Sequence, residues 1–334
     1  MRGRSLDIQM VGLIAVNLAI LAAAGLTVGE RFLSPFNLQS MASQVPEIGL
    51  LAMGVMLAMI AGRGGIDLSG IALANLAGIC AFLILGPIAD SGMSGQVYLL
   101  AFGLLSLGVG LLGGVVNGLI IGFVGVTSII ATLGTQLLFT GIAVILTGGS
   151  AQTLGYVPAL DDFANSPVLG LSPSVWMFLA VAAGLALWLR ATKSGRLLFL
   201  MGSNHTAARF AGVRTRWLLV QVYMLSGAFA GLAGVVIAAR TSSMKWDYGS
   251  SYVLVAILIA VMAGVRPEGG YGRVICVVLS ATALQLLSSY FNFLALSNFV
   301  RDLAWGVLLL VFLAFSRADL SAYWSTAIRP RSKA

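Results

Sequence analysis

The sequence contains very few charged residues. They make up 9% of the 334 residues, against about 25% in an ordinary soluble domain. A water-soluble surface needs far more polar side chains, so the mean hydropathy of +1.00 excludes a soluble protein. Long apolar runs recur from Met10 to Phe315, and no stretch has the size and polarity of a separate soluble domain. The sequence therefore predicts a single membrane domain over 1–334.

The residues that common catalytic and metal sites need are also lacking. No Gly-Lys pair occurs, which excludes the phosphate loop G-x-x-x-x-G-K-[ST]. The single histidine excludes an HExxH site, and Cys80 and Cys276 lie apart within apolar runs. The sequence predicts no catalytic residue, no metal site and no cofactor bound by this chain. The net charge of +8 comes from basic residues in short gaps between apolar runs, a pattern that does not favour nucleic-acid binding.

Apolar runs of the length that crosses a bilayer dominate the chain. A transmembrane helix needs about 20 mainly apolar residues, and such runs must be helical because lipid offers the backbone no hydrogen-bond partners. Two of the candidates, 45–61 and 252–265, are short enough to be re-entrant instead. The ten predicted spans are 10–28, 45–61, 68–88, 97–124, 129–146, 175–189, 218–239, 252–265, 274–290 and 299–315.

The distribution of positive charge predicts the orientation. With a cytoplasmic N-terminus and ten crossings, all but four of the 19 Lys and Arg residues lie in the cytoplasm. Omitting 45–61 alone moves the basic loop 190–216 outside, and omitting 252–265 alone does the same to the basic tail with Arg329, Arg331 and Lys333. Both outcomes oppose the positive-inside rule. We therefore predict an all-α protein with about ten transmembrane helices and both termini in the cytoplasm.

Glycines within the spans indicate where helices pack closely, and polar residues within the spans are candidates for lining a translocation path. A stripe of glycines at four-residue spacing predicts close packing of the fourth span against another helix; it comprises Gly110, Gly114, Gly118 and Gly122. No span is expected to carry an acidic residue near its middle, because Glu47 and Asp67 are placed at helix ends or in loops, which argues against ion coupling. Uncharged polar side chains are candidates for a translocation path, with interhelical hydrogen bonding as the alternative; the path candidates are Asn75, Asn117, Gln136, Thr140 and Gln285.

The loop 190–216 is the most informative soluble segment. It predicts a turn at Gly202-Ser203, then a short helix that is capped by Asn204 and ended by Gly212. We expect this loop to lie outside the helical bundle. The short helix has a small apolar face formed by Ala207, Phe210 and Ala211, while His205 and Arg209 point elsewhere. This face is too small for strong binding to lipid, which favours docking to a protein over an interfacial helix.

Four ordered motifs resemble one known family, the permeases of ribose-type bacterial ABC importers. The first is Gly64-Gly65-Ile66-Asp67-Leu68-Ser69, and the second combines Thr132-Leu133-Gly134-Thr135 with Gly141 and Thr147-Gly148-Gly149. The third runs from Gly195-Arg196 through Gly202-Ser203-Asn204 and Ala207-Ala208 to Ala211-Gly212-Val213, and the fourth is Gly269-Gly270-Tyr271-Gly272-Arg273. The resemblance thus covers almost the whole chain.

The resemblance implies an ABC importer permease fold in the bacterial inner membrane and a set of partners. These are a second permease copy or a paralogue, cytoplasmic ATPase subunits that hold ATP and Mg, and a periplasmic solute-binding protein. It also implies an ATPase-coupling helix formed by Asn204, His205, Thr206, Ala207, Ala208, Arg209, Phe210, Ala211 and Gly212. The expected cargo is a pentose, deoxyhexose, polyol or sugar-like autoinducer. A stand-alone secondary carrier and a membrane receptor or scaffold are the alternatives from other classes.

Overall fold

The computed structural model describes residues 3–89, 93–155 and 157–317, and this part of the chain is almost entirely helical. A π-helical turn, Ile120–Val124, continues α5, and two short strands, β1 (Gln152–Thr153) and β2 (Ser243–Met244), pair antiparallel. The helices are α1 (Gly3–Val28), α2 (Glu30–Leu33), α3 (Pro35–Ile60), α4 (Gly70–Ala89), α5 (Gly95–Leu119), α6 (Ser128–Thr147), α7 (Pro158–Asn165), α8 (Pro173–Ala191), α9 (Lys193–Ser203), α10 (His205–Phe210), α11 (Thr215–Thr241), α12 (Tyr252–Met262), α13 (Val274–Phe293) and α14 (Asn298–Arg317).

Helices α3 and α11 form the centre of the bundle. Their apolar stretches are 94% and 83% buried, whereas that of α1 is only 17% buried. Helix α11 packs against α3, α4 and α5, and α3 also contacts α12 and α13. A helix that is apolar on all sides is stable where protein or lipid surrounds it. The central pair is therefore surrounded by protein, and the outer helices leave large apolar side chains exposed.

The predicted glycine stripe of α5 lies against α11. A Cβ atom at Gly114 would collide with the Tyr223 carbonyl oxygen and the Gly227 backbone, and one at Gly118 would lie 2.6 Å from the Val220 Cα. The backbones of the two helices therefore approach too closely for any larger residue at these positions. Gly110 meets Gly227 and Gly231 in the same way, and Gly122 meets the Arg216 backbone.

Each of the ten predicted spans overlaps a helix, which confirms an all-α membrane protein. Within the described residues, seven helices are long and apolar enough to cross a membrane by length and composition, while Gly70–Gly86 and Tyr252–Met262 are shorter apolar helices. The predicted start of the second span at residue 45 is wrong. Helix α3 begins ten residues earlier because Pro35 follows Ser34, whose side chain accepts a hydrogen bond from the Asn37 amide. The predicted basic tail with Arg329, Arg331 and Lys333 lies outside the described residues.

Candidate functional site: a buried polar cluster and an exposed apolar face

The loop between α3 and α4, residues 61–69, enters the helical bundle; we call it the signature loop. Its backbone turns sharply at Gly62, Arg63 and Gly64, all of which have positive φ. Non-helical backbone at membrane depth requires protein partners for its polar groups. Thr132 is one such partner: its hydroxyl accepts from the Leu68 amide at 3.1 Å, and its single proton is shared between the Ser128 carbonyl at 2.8 Å and the Ile66 carbonyl at 3.1 Å. Two of the motifs singled out in the sequence are therefore in direct contact.

Asp67 of the signature loop is buried within the bundle. One carboxylate oxygen accepts from the Ser69 amide at 3.0 Å and from its hydroxyl at 2.7 Å, and the other accepts from the Ser226 hydroxyl at 2.6 Å. Asn117 donates to Ser69 at 2.8 Å and accepts from Thr135 at 2.6 Å. All five side chains are 4% exposed or less. This Asp67 cluster joins the signature loop to α5, α6 and α11.

The position of Ser226 gives the depth of this carboxylate. Ser226 lies 11 residues into α11, about 16 Å along the helix axis from its start. Asp67 therefore lies inside the helical bundle beside the middle of α11, and the sequence analysis was right to place it in a loop. A non-helical segment can extend into the bundle when neighbouring side chains satisfy its backbone.

A small cavity adjoins Asp67 and Ser226. Leu51, Val55 and Tyr252 are among its other lining residues, and its volume is about 10 Å³. That volume accommodates about one water molecule, whereas ligand sites usually measure about 300–1,000 Å³. In this conformation, the cavity beside Asp67 is too small for a sugar.

The predicted path residues occupy different surroundings. Asn117 belongs to the Asp67 cluster, where Thr135 contacts it. Gln136 and Thr140 are half-buried on α6. Asn75 donates to the carbonyls of Trp246 and Tyr248, at 3.2 and 2.9 Å, and Gln285 donates to the Gln44 side chain at 3.0 Å. Asn75, Asn117 and Gln285 therefore make interhelical or helix-to-loop hydrogen bonds. A role of any of the five residues in a translocation path remains a prediction.

A second buried carboxylate, Glu47, lies near the middle of α3. It pairs with Arg240 at 2.8 Å and accepts from the Tyr252 hydroxyl at 2.8 Å and, more weakly, from Tyr248 at 3.5 Å. Glu47 is 2% exposed and Arg240 18%. The expectation that no span carries a central acid is therefore wrong. The early start of α3 puts Glu47 inside the helix, and the extension of α11 to Thr241 brings Arg240 beside it.

The loop 190–216 folds into α9, α10 and the turn that follows. The predicted cap is confirmed, because the Asn204 side chain accepts from the Ala207 amide at 2.9 Å. Gly212 has φ of 77° just after the end of α10, as predicted. The predicted turn at Gly202-Ser203 is wrong, since α9 continues through Ser203 and the chain breaks only at Asn204. The break falls at Asn204 because its side chain caps the start of α10 by accepting a hydrogen bond from the Ala207 amide.

Helix α10 presents the predicted apolar face to the outside. Ala207 and Ala211 are exposed, and Phe210 is 89% exposed, whereas Ala208 is fully buried and anchors the helix. His205 is half-buried, and burial followed by the charge of Arg63 lowers the pKa of its imidazole. This shift favours the uncharged form of the imidazole. We call Ala207, Phe210 and Ala211 the coupling face.

The expectation that loop 190–216 lies outside the bundle is wrong for its first half. Leu198 and Met201 of α9 are fully buried. A Cβ atom at Gly202 would collide with the Ile60 carbonyl and the Gly270 amide, because three backbone segments meet here.

Glycines from three separate segments make this meeting possible. A Cβ atom at Gly62 would lie 2.9 Å from the Gly202 carbonyl oxygen, and one at Gly269 would collide with Gly62. The Gly270 amide donates to the Ile60 carbonyl at 3.0 Å. We call Gly62, Gly202, Gly269 and Gly270 the glycine junction. It holds α9 against the end of α3 and the late glycine-rich turn. The sequence analysis singled out Gly202, Gly269 and Gly270 in two separate motifs and did not single out Gly62.

The sequence is similar to known permeases over most of its length. The family described as "Branched-chain amino acid transport system / permease component" matches residues 37–315. The ribose import permease RbsC of Escherichia coli is 30% identical, with 89% of this chain and 90% of the relative covered. The autoinducer 2 import permease LsrC of Escherichia coli is 32% identical, with 86% of this chain and 80% of the relative covered. The autoinducer 2 import permease LsrD of Photorhabdus temperata is also 32% identical, with 79% of this chain and 78% of the relative covered. No solved structure matches. The chain therefore belongs to this family of transport-system permease components, and its motif-based resemblance to ribose-type permeases is confirmed.

Proposed function

We propose that this chain is the membrane-spanning permease of an ATP-driven importer and forms the path for a sugar or sugar-like solute. The observation that carries the proposal is the exposed coupling face on α10, which directly follows α9, the helix that the glycine junction holds against the apolar bundle. Relatives named for ribose and autoinducer 2 import support the solute class. Pentoses, deoxyhexoses, polyols and sugar-like autoinducers fit that class. A stand-alone carrier would have no use for an external apolar face on a structured cytoplasmic helix.

The partners follow from the same proposal. A cytoplasmic ATP-binding subunit, with ATP and Mg bound to it, supplies the energy, and a periplasmic solute-binding protein delivers the cargo. A second permease copy or a paralogue completes the path. Within this chain, the path candidates remain the polar residues predicted from the sequence, Asn75, Asn117, Gln136, Thr140 and Gln285.

For the topology, we propose ten crossings with both termini in the cytoplasm and 1–334 as one permease domain. The short α12, about 16 Å long by its 11 residues, crosses together with the non-helical segment 245–251. The charge distribution in the sequence supports this arrangement.

Cysteine labelling tests the topology. In a Cys80→Ala, Cys276→Ala background, we expect Asp162→Cys to react with an impermeant maleimide from outside intact cells and Ser203→Cys to react only after the cytoplasmic side is opened. Both positions are exposed, so failure to react reports the membrane side and not burial. Reaction of both cysteines from the same side would contradict the ten-span arrangement.

The contacts suggest how work on α10 reaches the membrane interior. Ala208 anchors α10 beside α9, and α9 meets the signature loop at the glycine junction. The signature loop in turn carries Asp67, which is bonded to Ser226 of α11. A displacement of α10 by an ATPase subunit would therefore move the loop that positions the intramembrane Asp67 cluster, because each contact in the series is closely packed or hydrogen-bonded.

The coupling face can be tested by adding bulk to it. Ala207 is exposed in this chain, so Ala207→Trp should leave the amount of folded permease near normal. We expect it to abolish capture of the ATPase subunit encoded with this permease, and uptake should fail in parallel, because a close-fitting groove cannot accept the indole. Gly212→Trp is a poorer probe, since φ at Gly212 is 77° and a side chain there would distort the loop itself.

Lys193→Trp is the matched control, because Lys193 is an exposed residue of the same loop on α9. It should keep both ATPase capture and uptake. If Ala207→Trp retains the ATPase and full uptake, the coupling assignment is incorrect. If uptake by the wild type persists without the ATPase subunit and collapses with an ionophore, the chain is a carrier instead.

A further inference from the structure

A large groove lies beside α10, between loop 190–216 and the end of α5. Its volume is about 1,310 Å³. Four arginines line it, namely Arg63, Arg209, Arg214 and Arg216, and none of the residues that line it is acidic. All four arginines are exposed. Such a concentration of guanidinium groups favours an anionic ligand, and arginine suits phosphate because its planar fork donates two parallel hydrogen bonds.

The membrane side of this groove is aromatic. Phe123 and Trp217 stack edge to face with ring centroids 5.1 Å apart, and the Arg216 guanidinium lies 5.9 Å from the Phe123 ring centre. Both rings are about half exposed, at 42% and 55%. Tryptophan beside arginine is typical of the membrane–water interface, where an amphipathic ring sits at the level of the lipid headgroups.

An exposed apolar stripe runs along α5 away from the groove. Leu112, Val116 and Leu119 are spaced by four and three residues, so they share one face of α5. Phe123 follows in the π-helical turn, and all four side chains are at least 41% exposed. The stripe extends over 11 residues, about 16 Å, which is close to half of the ~30 Å hydrocarbon core. Its length thus corresponds to one leaflet.

From this combination, we infer that the groove binds the headgroup of an anionic phospholipid, whose acyl chains lie along the α5 stripe. The inference rests on the proposed topology, which puts this end of α5 at the cytoplasmic surface. Basic pockets at that surface recognise anionic lipids through their phosphates. An acidic protein segment would match the arginines as well, but it would not account for an apolar stripe that continues to the depth of a leaflet.

The test titrates lipids into the purified permease in a neutral detergent, with affinity measured by native mass spectrometry and Tm as a second readout. Cardiolipin and phosphatidylglycerol should bind and raise the Tm, whereas phosphatidylcholine and inorganic phosphate should not. Arg214→Gln combined with Arg216→Gln should weaken cardiolipin binding by about 30-fold, given the attraction of each basic residue for an anionic surface. Arg190→Gln with Lys193→Gln, which removes two exposed charges outside the groove, should leave the affinity unchanged.

If the double variant does not fold, Arg214→Gln alone should still lower the affinity by about fivefold. Equal binding of phosphatidylcholine, or an equal loss in the Arg190 and Lys193 control, would overturn the inference.

Saturation by inorganic phosphate would assign the groove to a free anion. Loss of ATPase capture with unchanged lipid affinity would assign it to an acidic protein surface. Crosslinking of Val116→Cys between two copies, in the background without Cys80 and Cys276, would assign the stripe to a second permease. Phe210 of the coupling face also lines the groove, whereas Ala207 does not. The Ala207→Trp and labelling experiments are therefore measured apart from lipid affinity, and failure here does not affect the proposed function.

Discussion

Asp67 and Glu47 are both buried acids in the same bundle, and they are satisfied in different ways. Glu47 forms an ion pair with Arg240 and accepts a hydrogen bond from the Tyr252 hydroxyl. Asp67 accepts hydrogen bonds only from hydroxyls and a backbone amide among the contacts described. Charge removal therefore has different consequences at the two sites. Loss of Arg240 leaves the Glu47 charge without its cation, whereas loss of one Asp67 partner removes one of several neutral donors.

The two acids also lie in different types of backbone structure. Glu47 is fixed within a regular helix, and its partners come from the ends of α11 and α12. Asp67 is carried by a non-helical loop that connects, through the glycine junction, to α9 and α10. A change in that loop can alter the Asp67 cluster without bending any long helix. If the proposed function holds, the Asp67 cluster is therefore the one of the two acids that is connected to the coupling face.

The largest expected effect is that of Arg240→Leu. It leaves the buried Glu47 carboxylate without its cation, which typically costs about 3–5 kcal/mol, and we expect a loss of that order in the free energy of unfolding in a mixed-micelle titration. The double variant Glu47→Gln with Arg240→Leu should recover most of it, because the charge that needed a partner is gone. Equal stability of Arg240→Leu and wild type would show that the pair contributes nothing.

A smaller loss is expected for Ser226→Ala. It removes the only donor described for one oxygen of Asp67, and a hydrogen bond to a charged group is worth about 1.5–3 kcal/mol. Ser280→Ala is the matched control, since Ser280 is fully buried and its hydroxyl has no hydrogen-bond partner among the described residues. If both variants unfold with the same free energy, Asp67 does not depend on Ser226, and the contrast between the two acids fails.

The smallest effect on stability is expected for Gln136→Leu, compared with Asn117→Leu. Asn117 makes two hydrogen bonds within the Asp67 cluster, so its loss should cost about 1–2 kcal/mol, given the modest value of such bonds in membranes. Gln136 is half-buried, and its replacement should change the free energy of unfolding by less than about 0.5 kcal/mol. If Gln136 lines the path, uptake per folded molecule should still fall. Unchanged uptake in Gln136→Leu would remove it from the path.

The class of protein could be predicted from the sequence because lipid imposes a simple requirement. Apolar runs of sufficient length must be helical, and the structure has a helix at every predicted span. The Asn204 cap and the Gly212 terminus of α10 were likewise readable, since each depends on local chemistry within a few residues. The four motifs identified the family for the same reason, as each is a short contiguous pattern.

Other features depended on contacts between distant segments. Asp67 and Ser226 are 159 residues apart, and Glu47 and Arg240 are almost 200 apart, so no local pattern indicates either pair. The depth of the signature loop and the glycine junction also had no local signal. The sequence by itself determined which segments are helical and apolar, because backbone hydrogen bonding and transfer to lipid are properties of each segment. Only the tertiary structure decided which polar groups share a buried site, because that depends on how closely glycine allows separate backbones to approach.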